Sequence, residues 1–257
     1  MENKNEANVI MGRKIFFLHP SATLQNTIIS ELFHQEYEVY VVKDHAALRR
    51  ALHRYSNSVV FADIGEHLAE RDWEIWIRGV MNAPETKNTL IGIVSANSDE
   101  ALQKKYLNTI KVPCGYTVIK SDINNSIKSI CEILKSVDAK GRRKYLRAST
   151  QADKTTINLP MNGTFINGTI KDISAVGVSC TFERDPMLNK NALFKDIQIR
   201  LQGVLLKAEA IVFGSRMEDY QKIYVLLFTQ RVDAQVHTKI RTYIQQNLQG
   251  KLDAELK

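Results

Sequence analysis

The 257-residue chain is poor in cysteine: Cys114, Cys131 and Cys180 stand isolated, and their number is odd. They make neither a disulfide framework nor a CxxC pair, which excludes a disulfide-stapled secreted fold and a structural zinc site. Three reduced thiols in a cytoplasmic protein are the expectation. Long apolar runs are lacking too. "IFFL" and "YVLLF" are the size of core strands, far short of a bilayer span, so no membrane insertion is expected. The N-terminus has no apolar stretch behind a basic start and so does not read as a secretory signal. No Walker loop, metal-ligand cluster or nucleophile–base pair occurs. The expectation is therefore no enzyme, no catalytic residue, no metal and no cofactor.

What is present is globular in composition, with 44% hydrophobic and 25% charged residues. Only the first ten residues, "MENKNEANVI", and the last few read as disordered. The net charge of +7 is unevenly placed. Residues 1–138 carry 16 Lys and Arg against 17 Asp and Glu; residues 139–257 carry 19 against 11. The stretch "AKGRRKYLRAST" (139–150) alone holds Lys140, Arg142, Arg143, Lys144 and Arg147, with no acid. A concentration of this kind points to an anionic partner at one site.

The two halves differ in periodicity. In the first, apolar strands at 14–20, 37–42, 58–65, 89–96 and 115–121 alternate with amphipathic helices. The helices fall at 22–35, 44–55, around Trp73–Val80, at 99–109 and at 123–137, with Asp44 as an N-cap. This predicts a doubly wound α/β domain over 10–138. In the second, strands at 155–159, 164–173, 177–183, 193–201, 205–214 and 222–228 are separated by short polar turns. This predicts a six-stranded antiparallel barrel over 139–250. A terminal helix with Val236, Ile240, Tyr243, Ile244 and Leu248 on one face would cap it.

Two motifs in the second half carry chemistry. Arg143 and Arg147 are spaced to present two planar forks, each able to hold a phosphate bidentately or the O6 and N7 of a guanine. In "DISAVG" (172–177), Asp172 can accept from the N–H donors of a guanine edge, Ser174 offers a hydroxyl, and Gly177 allows a tight turn beside a ligand. "RRKYLR" followed by "DISAVG" resembles the signature of the PilZ domain, RxxxR then [D/N]xSxxG. The resemblance spans about 139–250. It implies a β-barrel binding cyclic di-GMP through Arg142, Arg143, Arg147, Asp172, Ser174 and Gly177. Arg142, just before RxxxR, implies that a stacked pair of dinucleotides can be held.

The first half resembles a response-regulator receiver. Asp63 ends "SVVFAD", Ser95 ends "TLIGIVS" and Lys120 ends "GYTVIK", where a receiver places its phosphoacceptor, hydroxyl and lysine. The acidic pair that would hold Mg²⁺ is replaced by His19 and Pro20. Neutral imidazole suits that hard cation poorly, and proline offers no donor. Asp63, Ser95 and Lys120 are thus expected to form a vestigial, unphosphorylated site. The resemblances together imply a receptor coupling cyclic di-GMP binding to domain reorientation and to a protein partner met by the receiver-like half, as in bacterial motility, biofilm or virulence control. Two other readings remain: a nucleic-acid regulator using the basic arm, and a phosphorylation-driven regulator through Asp63. Nucleic acid is not the expected partner, because the second half outside the basic stretch is only +3.

Overall fold

The computed structural model describes residues 12–65, 67–119, 122–150 and 154–257. The N-terminal ten residues read as disordered, and Lys120, lie outside the described residues. The chain divides into two compact units, residues 1–144 with 249–257, and residues 145–248.

The first unit is a five-stranded parallel sheet in the order β2-β1-β3-β4-β5. Its strands are β1 (Lys14–Leu18), β2 (Val39–Val42), β3 (Ser58–Asp63), β4 (Leu90–Ser95) and β5 (Tyr116–Val118). They alternate with α1 (22–34), α2 (His45–Leu52), α3 (Glu70–Asn82), α4 (100–110) and α5 (Ile123–Ser136). A parallel sheet is covered on both faces, so its strands are apolar runs rather than alternating ones. Ile15, Phe16, Phe17 and Leu18 are accordingly all buried, as are Val59 to Ala62. Phe17 stacks on Phe61 across β1 and β3, with ring centroids 5.2 Å apart. Asp44 caps α2 by accepting from the N–H groups of Ala46 and Ala47. α1 and α4 each carry a π-helical stretch, Gln25–Ile29 and Lys105–Ile110. The chain leaves β1 for one side of the sheet and returns for β3 on the other, which opens a crevice at the carboxyl ends of these strands.

β2 is an edge strand, and unpaired edges invite unwanted pairing. Here the side-chain amide of Gln249 imitates a neighbouring backbone. Its Oε1 accepts from Val41 N–H at 3.0 Å and its Nε2 donates to Val41 C=O at 2.8 Å. Glu255 accepts from Arg54 at 3.1 Å and from the Tyr55 hydroxyl.

The second unit holds β6 (Arg147–Ser149), β7 (Thr155–Met161), β8 (Thr164–Ser174), β9 (Gly177–Phe182), β10 (Leu193–Leu201), β11 (Val204–Glu218) and β12 (Gln221–Phe228). β8, β7, β10, β11, β12 and β9 pair in that order, and β9 pairs back to β8. This is the expected closed six-stranded antiparallel barrel. β6 is an addition to it: β8 pairs with β7 over Thr164–Thr169 and with β6 over Asp172–Ser174. The inner face carries Ala148, Ile173, Val178, Leu226 and Val212, one from each of five neighbouring strands and all buried. The terminal helix α6 (Ala234–Leu256) begins in this unit and buries Ile240, Tyr243 and Ile244. No described helix is long and apolar enough to cross a membrane. Cys114, Cys131 and Cys180 are free and buried, and burial pushes all three thiols up, that of Cys180 to about 12.

Candidate functional site

The motif residues of the second unit meet on the outer face of the barrel because of one irregularity in β8. Strand residues alternate in and out. Ile170 points into the core, and regular alternation would send Asp172 inward as well. A bulge between Ile170 and Asp172 takes up Lys171 as an extra residue, so that Ile173 returns to the core and Asp172 turns outward. Two rows result. Ser149, Asp172, Ser179 and Val225 lie side by side on β6, β8, β9 and β12; Arg147, Ser174, Gly177 and Leu227 form the adjacent row.

Within these rows the polar groups are already arranged. Arg147 Nη1 lies 3.7 Å from Asp172 Oδ1, and the Arg147 side chain is 53% exposed. The Ser179 hydroxyl donates to Asp172 Oδ2. Ser174 is buried, and its hydroxyl serves the β8–β9 turn: it donates to Gly177 C=O at 3.3 Å and accepts from Val176 N–H at 3.4 Å. Gly177 does not have a left-handed backbone. A Cβ there would stand 2.3 Å from Leu226 O, so the glycine is required by the close passage of β12. The turn is also bonded from α6, where His237 Nδ1 lies 3.2 Å from Ala175 O. Arg147 and Asp172 are thus brought together, while Ser174 and Gly177 shape the turn beside them.

The other arginines precede β6 in the chain. Arg142 and Arg143 are exposed, and neither forms an ion pair among the described residues. Lys140 sits instead over the ring of Tyr37, 4.9 Å from its centroid. The five charges of the basic stretch therefore do different things. Ser179 and Ser149, which flank Asp172 on either side, escape a search by motif. The available signal is their i, i+2 spacing from Gly177 and Arg147, which puts them on the same strand face once the strands are known.

In the first unit, His19, Asp63 and Ser95 line a cleft of about 1010 Å³ at the strand ends, with Ser21, Asn97 and Asp99. Lys120 lies outside the described residues. Asp63 accepts from Ser21 N–H at 3.1 Å and from Gly65 N–H at 3.3 Å. The Ser95 hydroxyl accepts from Asn97 N–H at 3.1 Å. His19 has a left-handed backbone (φ 52°), stacks on His67 at 4.5 Å and meets the edge of Trp73 at 5.8 Å. Its Nε2 is buried with no hydrogen-bond partner among the described residues. Burial, then the neighbouring His67 and His45, lower its pKa, with Asp44 opposing. A lowered folded-state pKa means that the unfolded chain takes up the proton first. The contribution of His19 is complete above the ordinary histidine value near 6.5, is lost as pH falls from there towards the folded pKa, and is constant below it. Thermal unfolding between about pH 7.5 and 5 should therefore show a steeper acid loss in the wild type than in His19→Asn, which tolerates this backbone and does not titrate. Parallel curves would rule this out.

No family model matches the chain, and none of the curated proteins does. Solved structures similar to it include the PilZ domain of YcgR from Escherichia coli with c-di-GMP: 16% identity, 44% of this chain and 93% of that one, TM-score 0.34. The K. pneumonia MrkH–c-di-GMP complex is 19% identical, over 46% of this chain and 56% of that one, with a TM-score of 0.38. The Mn²⁺-bound response regulator Rcp1 is 15% identical, over 48% of this chain and 92% of that one, with a TM-score of 0.39. The chain thus matches only about half the length of MrkH.

Proposed function

We propose that the chain is a non-enzymatic receptor for cyclic di-GMP, held on the outer face of the barrel by Arg147 and Asp172 and by Arg142 and Arg143 just upstream. The observation that carries this is the pairing of a guanidinium and a carboxylate on neighbouring strands, both turned outward. A guanine edge offers two adjacent donors, N1–H and the 2-amino group, and a carboxylate accepts both. A guanidinium fork suits the phosphate or guanine O6 and N7. Neither group has to be extracted from a strong contact. At 3.7 Å, with Arg147 half-exposed and Asp172 28% exposed, the pair is of the kind worth at most about 1 kcal/mol.

Recruiting Arg142 and Arg143 costs mainly the ordering of exposed side chains, because no ion pair among the described residues must be broken. That ordering is the proposed signal. The segment joins the two units in sequence, so fixing it selects among the placements open to the receiver-like unit and hence what it offers a protein partner. c-di-GMP is present in the YcgR and MrkH structures named above, which agrees with this choice of ligand. The test is calorimetric titration of the intact protein. Cyclic di-GMP is expected to give saturable heat, and cyclic di-AMP, which lacks the guanine donors, to give none. No heat from cyclic di-GMP would sink the proposal.

A further inference from the structure

We propose that Ser179, outside both motifs, is a positioning residue for guanine recognition, acting through Asp172. This rests on the cyclic di-GMP reading. A carboxylate at the end of a flexible side chain can rotate about two torsions, and an acceptor selects a donor pair only when its plane is fixed. Here the plane is fixed from one side. Ser179 faces Asp172 directly across the β8–β9 ladder, is 3% exposed, and donates its hydroxyl to Asp172 Oδ2. Close cross-strand neighbours of this kind are held by the sheet itself. The contact exists only because the bulge at Lys171 turns Asp172 outward, onto the face that Ser179 shares. With Oδ2 held and Oδ1 directed toward Arg147, the second lone pair on each oxygen remains for a ligand.

The serine hydroxyl also satisfies itself by this bond. Its own rotation is spent on Asp172, and its near-complete burial rules out direct competition from bulk water. Loss of the hydroxyl alone should therefore be read out in guanine affinity, through a freely rotating carboxylate.

Threonine and valine have nearly the same shape and differ by the hydroxyl, so comparing Ser179→Thr with Ser179→Val separates the hydrogen bond from packing. Each is made in the full chain and titrated calorimetrically with cyclic di-GMP, alone and in an Asp172→Ala background. Expected is weaker binding by Ser179→Val than by Ser179→Thr, by about tenfold, as for one hydrogen bond to a charged group. In the Asp172→Ala background the two should bind alike. Equal affinities of the Thr and Val variants with Asp172 present would overturn the proposal. So would a difference that persists without Asp172. Absence of heat from the wild type would instead remove the cyclic di-GMP reading and this inference with it, a result distinct from a binding wild type with indifferent Ser179 variants.

Discussion

Arg147→Ala is expected to weaken cyclic di-GMP binding by about ten- to a hundredfold while leaving the barrel as stable as before. The size follows from a hydrogen bond between charged groups, about 1.5–3 kcal/mol when lost. The lack of a folding effect follows from geometry. Arg147 is 53% exposed and its ion pair with Asp172 spans 3.7 Å, a contact of the kind that adds little to stability. Asp172 keeps its bond from Ser179, so removing the arginine strands no buried charge. The variant should therefore unfold within about 0.5 kcal/mol of wild type, the range of an exposed substitution. Arg147→Lys divides the effect further. Lysine keeps the charge but loses the planar fork, so it should restore attraction without bidentate recognition and bind between wild type and Arg147→Ala. Calorimetric affinities of the three proteins, with their unfolding midpoints, check this. Full affinity in Arg147→Ala would remove Arg147 from the site.

The architecture of both units was legible because its signal is local. The strands of the first unit are apolar runs such as "KIFFL" and "SVVFA", readable without knowing their partners. Asp44 announced itself as a cap by type and place. What escaped is what only pairing defines. β6 is three residues, Arg147–Ser149, with no alternation long enough to read; it is a strand because β8 extends beyond β7. The bulge at Lys171 is invisible in "IKDIS" and yet decides which way Asp172 faces. The π-helical stretches of α1 and α4 are 5 and 6 residues long, about one turn each, too short to break the helical spacing around them. Within the site, the structure pairs Arg147 with Asp172 on neighbouring strands, a juxtaposition that residue type alone did not give. Residue type was a weak guide for Ser174, whose hydroxyl is turned back on its own turn. Lys140 was legible only as one charge of the basic stretch, and the structure places it over an aromatic ring.

Gly177 is the sharpest case, because motif and geometry give different reasons for the same residue. If a glycine were needed there so that a ligand could approach the backbone, alanine would fold normally and bind poorly. The structure gives the opposite expectation. The added methyl would lie 2.3 Å from Leu226 O and 3.1 Å from Leu227 Cδ2. The carbonyl belongs to the backbone of β12, paired against β9 through Leu226 with Val178 and Leu227 with Gly177. It cannot swing away as a side chain would, so the strands must separate, and with them the buried Val178 and Leu226 of the core. Overpacking of this kind costs about 1–3 kcal/mol. In a domain of this size each kcal/mol lowers the unfolding midpoint by about 4–8 °C. Gly214→Ala is the matched control: it lies in the same barrel, its added methyl meets nothing within 4 Å among the described residues, and its backbone is not left-handed. That substitution should be neutral or slightly stabilising. Thermal unfolding should therefore separate Gly177→Ala from Gly214→Ala by several degrees. At low temperature, where the barrel of Gly177→Ala is folded, cyclic di-GMP should still bind with most of its affinity, because Arg147, Asp172 and Ser179 are unchanged. A variant with a wild-type midpoint and lost affinity would return Gly177 to the ligand and remove it from the ladder.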